Sequence, residues 1–144
     1  MNSYLPHPDP PDPVFLPSER LFHRVKDEDV EGENVLPSAI RLPDCSVNRE
    51  KYALSPEVAL QGYEDEFSHV ASMCAGDLPI PQTTEGSITW MFFVAHDPLV
   101  DNYSHTEVRL KKSDQSYDVK RSPRGAVRTT LKLLLAEKMT VIYP

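Results

Sequence analysis

Membrane-length apolar runs, paired cysteines and glycine-rich loops are all missing from this chain. No stretch reaches the ~20 apolar residues that a bilayer span needs, which excludes a helical membrane protein. There are two cysteines, Cys45 and Cys74, and no CxxC pair, so neither a disulfide scaffold nor a paired-CxxC zinc site is indicated. Neither thiol has an evident low-pKa setting, which argues against a thiol enzyme. Five glycines in 144 residues form no GxGxxG or GxxxxGK[ST] phosphate loop, and HExxH and GxSxG are absent too. No motif therefore indicates a cofactor or a metal. The Pro- and Asp-rich start has no apolar h-region, so the sequence predicts a cytoplasmic protein with reduced thiols and no signal peptide. The Asn102-Tyr103-Ser104 sequon then carries no meaning.

What is present suits one globular unit. Hydrophobic residues make up 40% and charged residues 26% of a chain short enough for a single core. The net charge is −7, unevenly spread. Residues 1–70 hold 14 acids and 6 bases, residues 71–106 hold no base, and residues 107–144 hold 9 bases and 4 acids. Overall acidity disfavours nucleic acid as a partner, because phosphate attraction scales with basic contacts. The basic C-terminal third leaves a local anionic contact open, and so does pairing of the two regions within the fold or across a homomer.

Residues 1–17 carry six of the fourteen prolines and read as a polyproline-like arm outside the domain. Val14, Phe15 and Leu16 are its apolar anchors, and few buried backbone bonds are expected of it. The domain, 18–144, is predicted to be α+β, a mostly antiparallel sheet with two or three helices. Arg20–Val25 alternates as a first strand. Lys26–Asn34 reads as a loop, and Ser46–Arg49 as polar and irregular. Ser55-Pro56 starts a short helix that Gly62 ends. Residues 66–75 fit either a helical or a strand period. Ile88–Val94 is nearly all apolar and should be a central strand covered on both faces. Ser104–Lys111 alternates and should pair with it. Ser122 as cap and Pro123 at the first position open a last helix over 123–138, followed by a strand at Thr140–Tyr143. Trp90, Phe92, Leu131, Leu134 and Leu135 should be buried.

Three groups of residues carry candidate chemistry. His96 leaves one strand of the expected hairpin, and His105 and Glu107 enter the next. Two imidazoles and a carboxylate there can run acid–base chemistry or bind a divalent metal, although the spacing matches no metal signature; bonding of the turn by His96 is the structural alternative. Arg24 and Arg41, with Ser38 or Ser46, follow the residue order of NAD-using ADP-ribosyltransferase-like folds, with Glu107 as the late acid, and an exposed ion pair is the plain alternative. Arg121, Arg124, Arg128 and Lys132 line one face of the last helix. Arg124 opposes the helix dipole there, so the stripe suits either an anionic partner or a solvated face.

The segments Arg20–Val25, Leu42–Arg49, Ala75–Leu78, His96–Pro98 and Asn102–Val108 resemble a family of small uncharacterised bacterial proteins over roughly residues 20–110. The resemblance implies a bacterial cytosolic single domain whose core and site use these segments. The leading expectation is a non-enzymatic accessory domain that binds a protein partner. The alternative is a small enzyme, ADP-ribosyltransferase-like or metal-dependent, centred on His96, His105 and Glu107.

Overall fold

The computed structural model describes residues 5–84 and 86–144. Among them, alternating and β-branched segments form nine strands: β1 (Arg20–Val25), β2 (Val30–Glu31), β3 (Asn34–Val35), β4 (Cys45–Arg49), β5 (His69–Cys74), β6 (Gln82–Thr83), β7 (Thr89–His96), β8 (His105–Lys112) and β9 (Thr140–Tyr143). They join one sheet in the order β2-β3-β9-β5-β1-β4-β8-β7-β6, with every pairing antiparallel. Three helices complete an α+β domain: α1 (Glu50–Ala53), α2 (Pro56–Leu60) and α3 (Gly125–Glu137). No helix among the described residues is long and apolar enough to cross a membrane.

Each face of the sheet has its own cover. On one, Leu21, Val25, Val47, Val108 and Leu110 pack with Leu131, Leu135 and Ala136 of α3. Fully burying a leucine such as Leu135 contributes about 1.5–3 kcal/mol. On the other, Phe22 and Val70 meet Ala53, Ala59 and Leu60 of α1 and α2. Ser55 caps α2 as expected, accepting from the Val58 amide at 3.3 Å. Segment 66–75 resolves in favour of β5, and the expected loop at 26–34 contains a 3-10 turn and the small β2–β3 hairpin.

Several expectations are corrected. Ser46–Arg49 is not irregular: it lies in β4, paired with β1 and β8 near the middle of the sheet. Its buried polar side chains, Asn48 and Arg49, are held by partners far away in sequence. The apolar run at 88–94 does form a strand, β7, but only the two-residue β6 lies outside it. Met91 is 45% exposed there. Instead of a second layer, lysine stems screen its rings: Lys111 Nζ sits 4.4 Å from the Phe93 centroid and Lys112 Nζ 5.3 Å from that of Trp90. Trp90, which packs against the core, and Leu134 of α3 are half-buried, while Phe92, Leu131 and Leu135 are buried. Ser122 does not cap α3; its hydroxyl donates to the Pro123 carbonyl, and the helix begins at Gly125. Gly125 has φ +61°, a left-handed value that glycine adopts without strain, and it turns the chain into the helix.

The expected arm is irregular over residues 5–17 apart from one bridge, Pro6 to Leu99, and its first four residues lie outside the described ones. It is nonetheless bonded to the domain. The His7 amide donates to the Pro98 carbonyl at 3.0 Å, and the Gly76 amide donates to the Pro17 carbonyl at 2.9 Å. Of its anchors, Phe15 packs on the core, whereas Val14 and Leu16 are exposed.

Candidate functional site

The hairpin register separates the first candidate group. His96 stands opposite Thr106, whereas Glu107 stands opposite Ala95 and His105 opposite Asn48. Directly opposed residues share a face and successive ones alternate. His96 therefore lies on one face of the sheet, and His105 and Glu107 lie on the other. Each is otherwise engaged. His96 Nδ1 accepts from the Asp12 amide at 2.8 Å, and its Nε2 donates to the Tyr103 carbonyl at 2.6 Å. That pattern fixes a neutral ring, and burial lowers its pKa further. His105 Nδ1 donates to the Asp97 carbonyl at 2.8 Å. Glu107 accepts twice from Arg109, at 2.7 and 2.9 Å. The three do not form a common site.

Arg49, which the sequence did not single out, is fully buried beside His96. Its Nε and Nη2 grip Glu19, Nη2 also donates to the Val14 carbonyl at 2.6 Å, and Nη1 donates to the Asp12 carbonyl at 2.7 Å. Nη1 reaches His96 Nδ1 at 3.3 Å, and the guanidinium lies 4.0 Å from the Phe15 ring centroid. Four of its five N–H groups are bonded outright, and the fifth faces the His96 ring nitrogen that the Asp12 amide already occupies. Arg49 therefore has nothing left for a ligand; it pins the arm to the sheet. Asp12 completes the lock by accepting from Tyr52 at 2.7 Å and Lys51 at 2.9 Å. These bonds hold its carboxyl below the ordinary carboxylate range.

The basic residues do converge. Arg128 and Lys132 are spaced four apart on α3, flanking the buried Leu131 and Leu135, and Arg124 stands four residues earlier at the helix N-cap. The segment before β4 packs on this helix and brings Arg41 to the same place. With Arg121 they line a cleft of about 760 Å³, bounded by Ile40, Leu42 and Pro123. Among the described residues, no carboxylate lies within ion-pairing distance of any of the five. The first turn of α3 holds no acid, and no side chain caps it, so the positive helix end adds to the field. Pairing of the acidic and basic regions inside the fold, left open by the sequence, does not occur at this cleft.

Arg24 and Ser46 lie elsewhere. Ser46 faces Glu107 across the β4–β8 ladder. Arg24 lines a second cleft, of about 600 Å³, between the sheet, α1–α2 and the loop after β7, together with Asn48, Tyr52, Tyr63 and Tyr103. Its Nε donates to the Ala59 carbonyl, and its guanidinium sits 3.6 Å above the Tyr63 ring centroid. Burial lowers its pKa, though it remains a cation. Asn48 and the Tyr103 wall were not foreseen as functional, since a polar Asn in an apparent loop gives no signal of burial. No family model, curated protein or solved structure matches the chain.

Proposed function

We propose that this is an accessory binding protein that docks an acidic segment of a partner protein in the cationic cleft. The observation that carries the reading is the convergence of Arg41, Arg121, Arg124, Arg128 and Lys132 with no carboxylate among them. Like charges held together cost repulsion, which a bound polyanion relieves. An acidic peptide suits the cleft better than a nucleic acid, because the molecule is acidic overall and a long polyanion would meet repulsion beyond the cleft.

The test is a titration of the protein with a labelled oligoglutamate peptide at low and high salt. Binding should weaken with salt, and Arg124→Glu with Arg128→Glu should reduce affinity about tenfold or more. Sedimentation at several concentrations adds a second arm, because the run Asp27–Glu33 of another copy is itself an acidic segment. Failure of the peptide to bind at low salt, or equal binding by the charge-reversed variant, refutes the reading.

A further inference from the structure

The cleft around Arg24 and Asn48 lies on the sheet face opposite α3 and is independent of the cationic one. At its inner end the side-chain acceptors are spent internally. Asn48 Oδ1 accepts from Asn102 Nδ2 at 2.8 Å, and the Ser104 hydroxyl is shared between the side-chain oxygens of Asn48 and Asn102. Its donors are not. Asn48 is 1% exposed, yet its Nδ2 meets no protein acceptor among the described residues. Among the described residues no buried polar side-chain atom is left sealed without a partner, so this nitrogen opens into the cleft that Asn48 lines. Among the described residues Arg24 bonds only through its Nε, and its Nη groups make no hydrogen bond or ion pair. Between Arg24 and Asn48 the inner end presents donors, while the carboxylate of the lining, Asp101, is exposed to solvent; donors so placed select an acceptor-rich, anionic group at that end.

The walls offer flat apolar surface. The Tyr52 hydroxyl is committed to Asp12 and the Tyr103 hydroxyl to the Pro10 carbonyl, so both present ring carbon rather than a polar tip. Tyr52 is held by stacking against His96 at 5.5 Å and 6°, and by Tyr103 edge-on at 4.8 Å. Tyr63 lies across the opening, 39% exposed, with Arg24 on one of its faces. Rings fixed in place bind a planar ligand without an ordering cost. The volume of about 600 Å³ lies within the range of small-molecule sites.

We infer that this cleft is a binding site for a small anionic ligand carrying a flat ring, of the nucleoside monophosphate class. The phosphate meets Arg24 and the Asn48 amide, and the base lies against the tyrosines.

The experiment is calorimetric titration of the full chain with the four common nucleoside monophosphates, their nucleosides, inorganic phosphate and benzoate. At least one monophosphate should bind saturably, about tenfold more tightly than its nucleoside or phosphate alone. Arg24→Gln should weaken that binding about tenfold, and so should Tyr63→Ala, whose exposed position leaves folding intact. Arg124→Ala with Arg128→Ala should leave it unchanged, which separates this site from the cationic cleft. The inference is overturned if no monophosphate binds, if benzoate binds as tightly as the monophosphates, or if binding survives Arg24→Gln and Tyr63→Ala but is lost when the α3 arginines are removed.

Discussion

Raising the pH through the mildly alkaline range should destabilise this protein through one buried ring. His23 on β1 is 8% exposed. Its Nδ1 lies 2.8 Å from the Ser46 carbonyl oxygen and its Nε2 lies 3.0 Å from that of Ala39. Carbonyls only accept, and a neutral imidazole has one N–H, so the neutral ring would turn a lone pair on one of these oxygens. The imidazolium donates to both. Burial opposes that charge, but Cys45, whose Sγ is 3.9 Å from Nδ1, and the two carbonyls outweigh it and raise the pKa from 6.5 to about 9. A folded pKa above the unfolded value means that the native state holds the proton more tightly. The contribution is therefore full below pH 6.5 and is lost as pH rises through about 9. A pKa raised from 6.5 to about 9 corresponds to a contribution on the order of 3 kcal/mol, a large part of a typical domain stability. Urea unfolding of the wild type and His23→Gln, followed from about pH 6 to pH 9.5, reads this directly. The wild type should lose its advantage over the variant across that window, and in Cys45→Ala the loss should move to lower pH, because the thiol is one of the groups that raise the ring's pKa. Parallel wild-type and His23→Gln curves, or a ring nitrogen NMR spectrum of the neutral form at neutral pH, would refute the assignment.

The other predictions concern how the arm is held. Arg49→Ala strands the nearly buried Glu19 carboxylate and should cost about 3–5 kcal/mol in urea unfolding; a cost under about 1 kcal/mol would mean the network is slack. Removing residues 1–17 takes the Asp12 and Val14 carbonyls and the Phe15 ring from Arg49, so the melting temperature should fall by roughly 6–12 °C, against the small change expected of a detached tail. An unchanged melting temperature would return the arm to that status. Gly76→Ala places a Cβ 2.8 Å from Pro17 Cβ and 2.9 Å from its carbonyl oxygen, both at the root of the arm. It should cost about 1–3 kcal/mol, and that cost should shrink once the arm is deleted.

Local periodicity carried the sequence reading where packing obeys it and failed where polar groups were buried. β7, β8 and α3 show their patterns within a few residues, because their apolar side chains need only a greasy neighbour, which any core supplies. β4 shows none, because Asn48 and Arg49 are acceptable inside only when Asn102, Ser104 and Glu19 stand at bonding distance, and those residues lie about 30 to 56 positions away. The cationic stripe on α3 was readable from its four-residue spacing, but the addition of Arg41 depended on how the segment before β4 docks against the helix. The histidine pair failed on register alone. Sequence proximity across a hairpin places two side chains together only if they are directly opposed, and one residue of shift sends them to opposite faces. His96 is opposed by Thr106, not His105, and that single step converts an apparent catalytic pair into two unrelated structural rings. The same alternation puts Arg24 and Asn48 on one face, because Phe22 is opposed by Asn48 and Arg24 lies two residues along β1. One register thus separates His96 from His105 and Glu107 and places Arg24 and Asn48 together in one cleft.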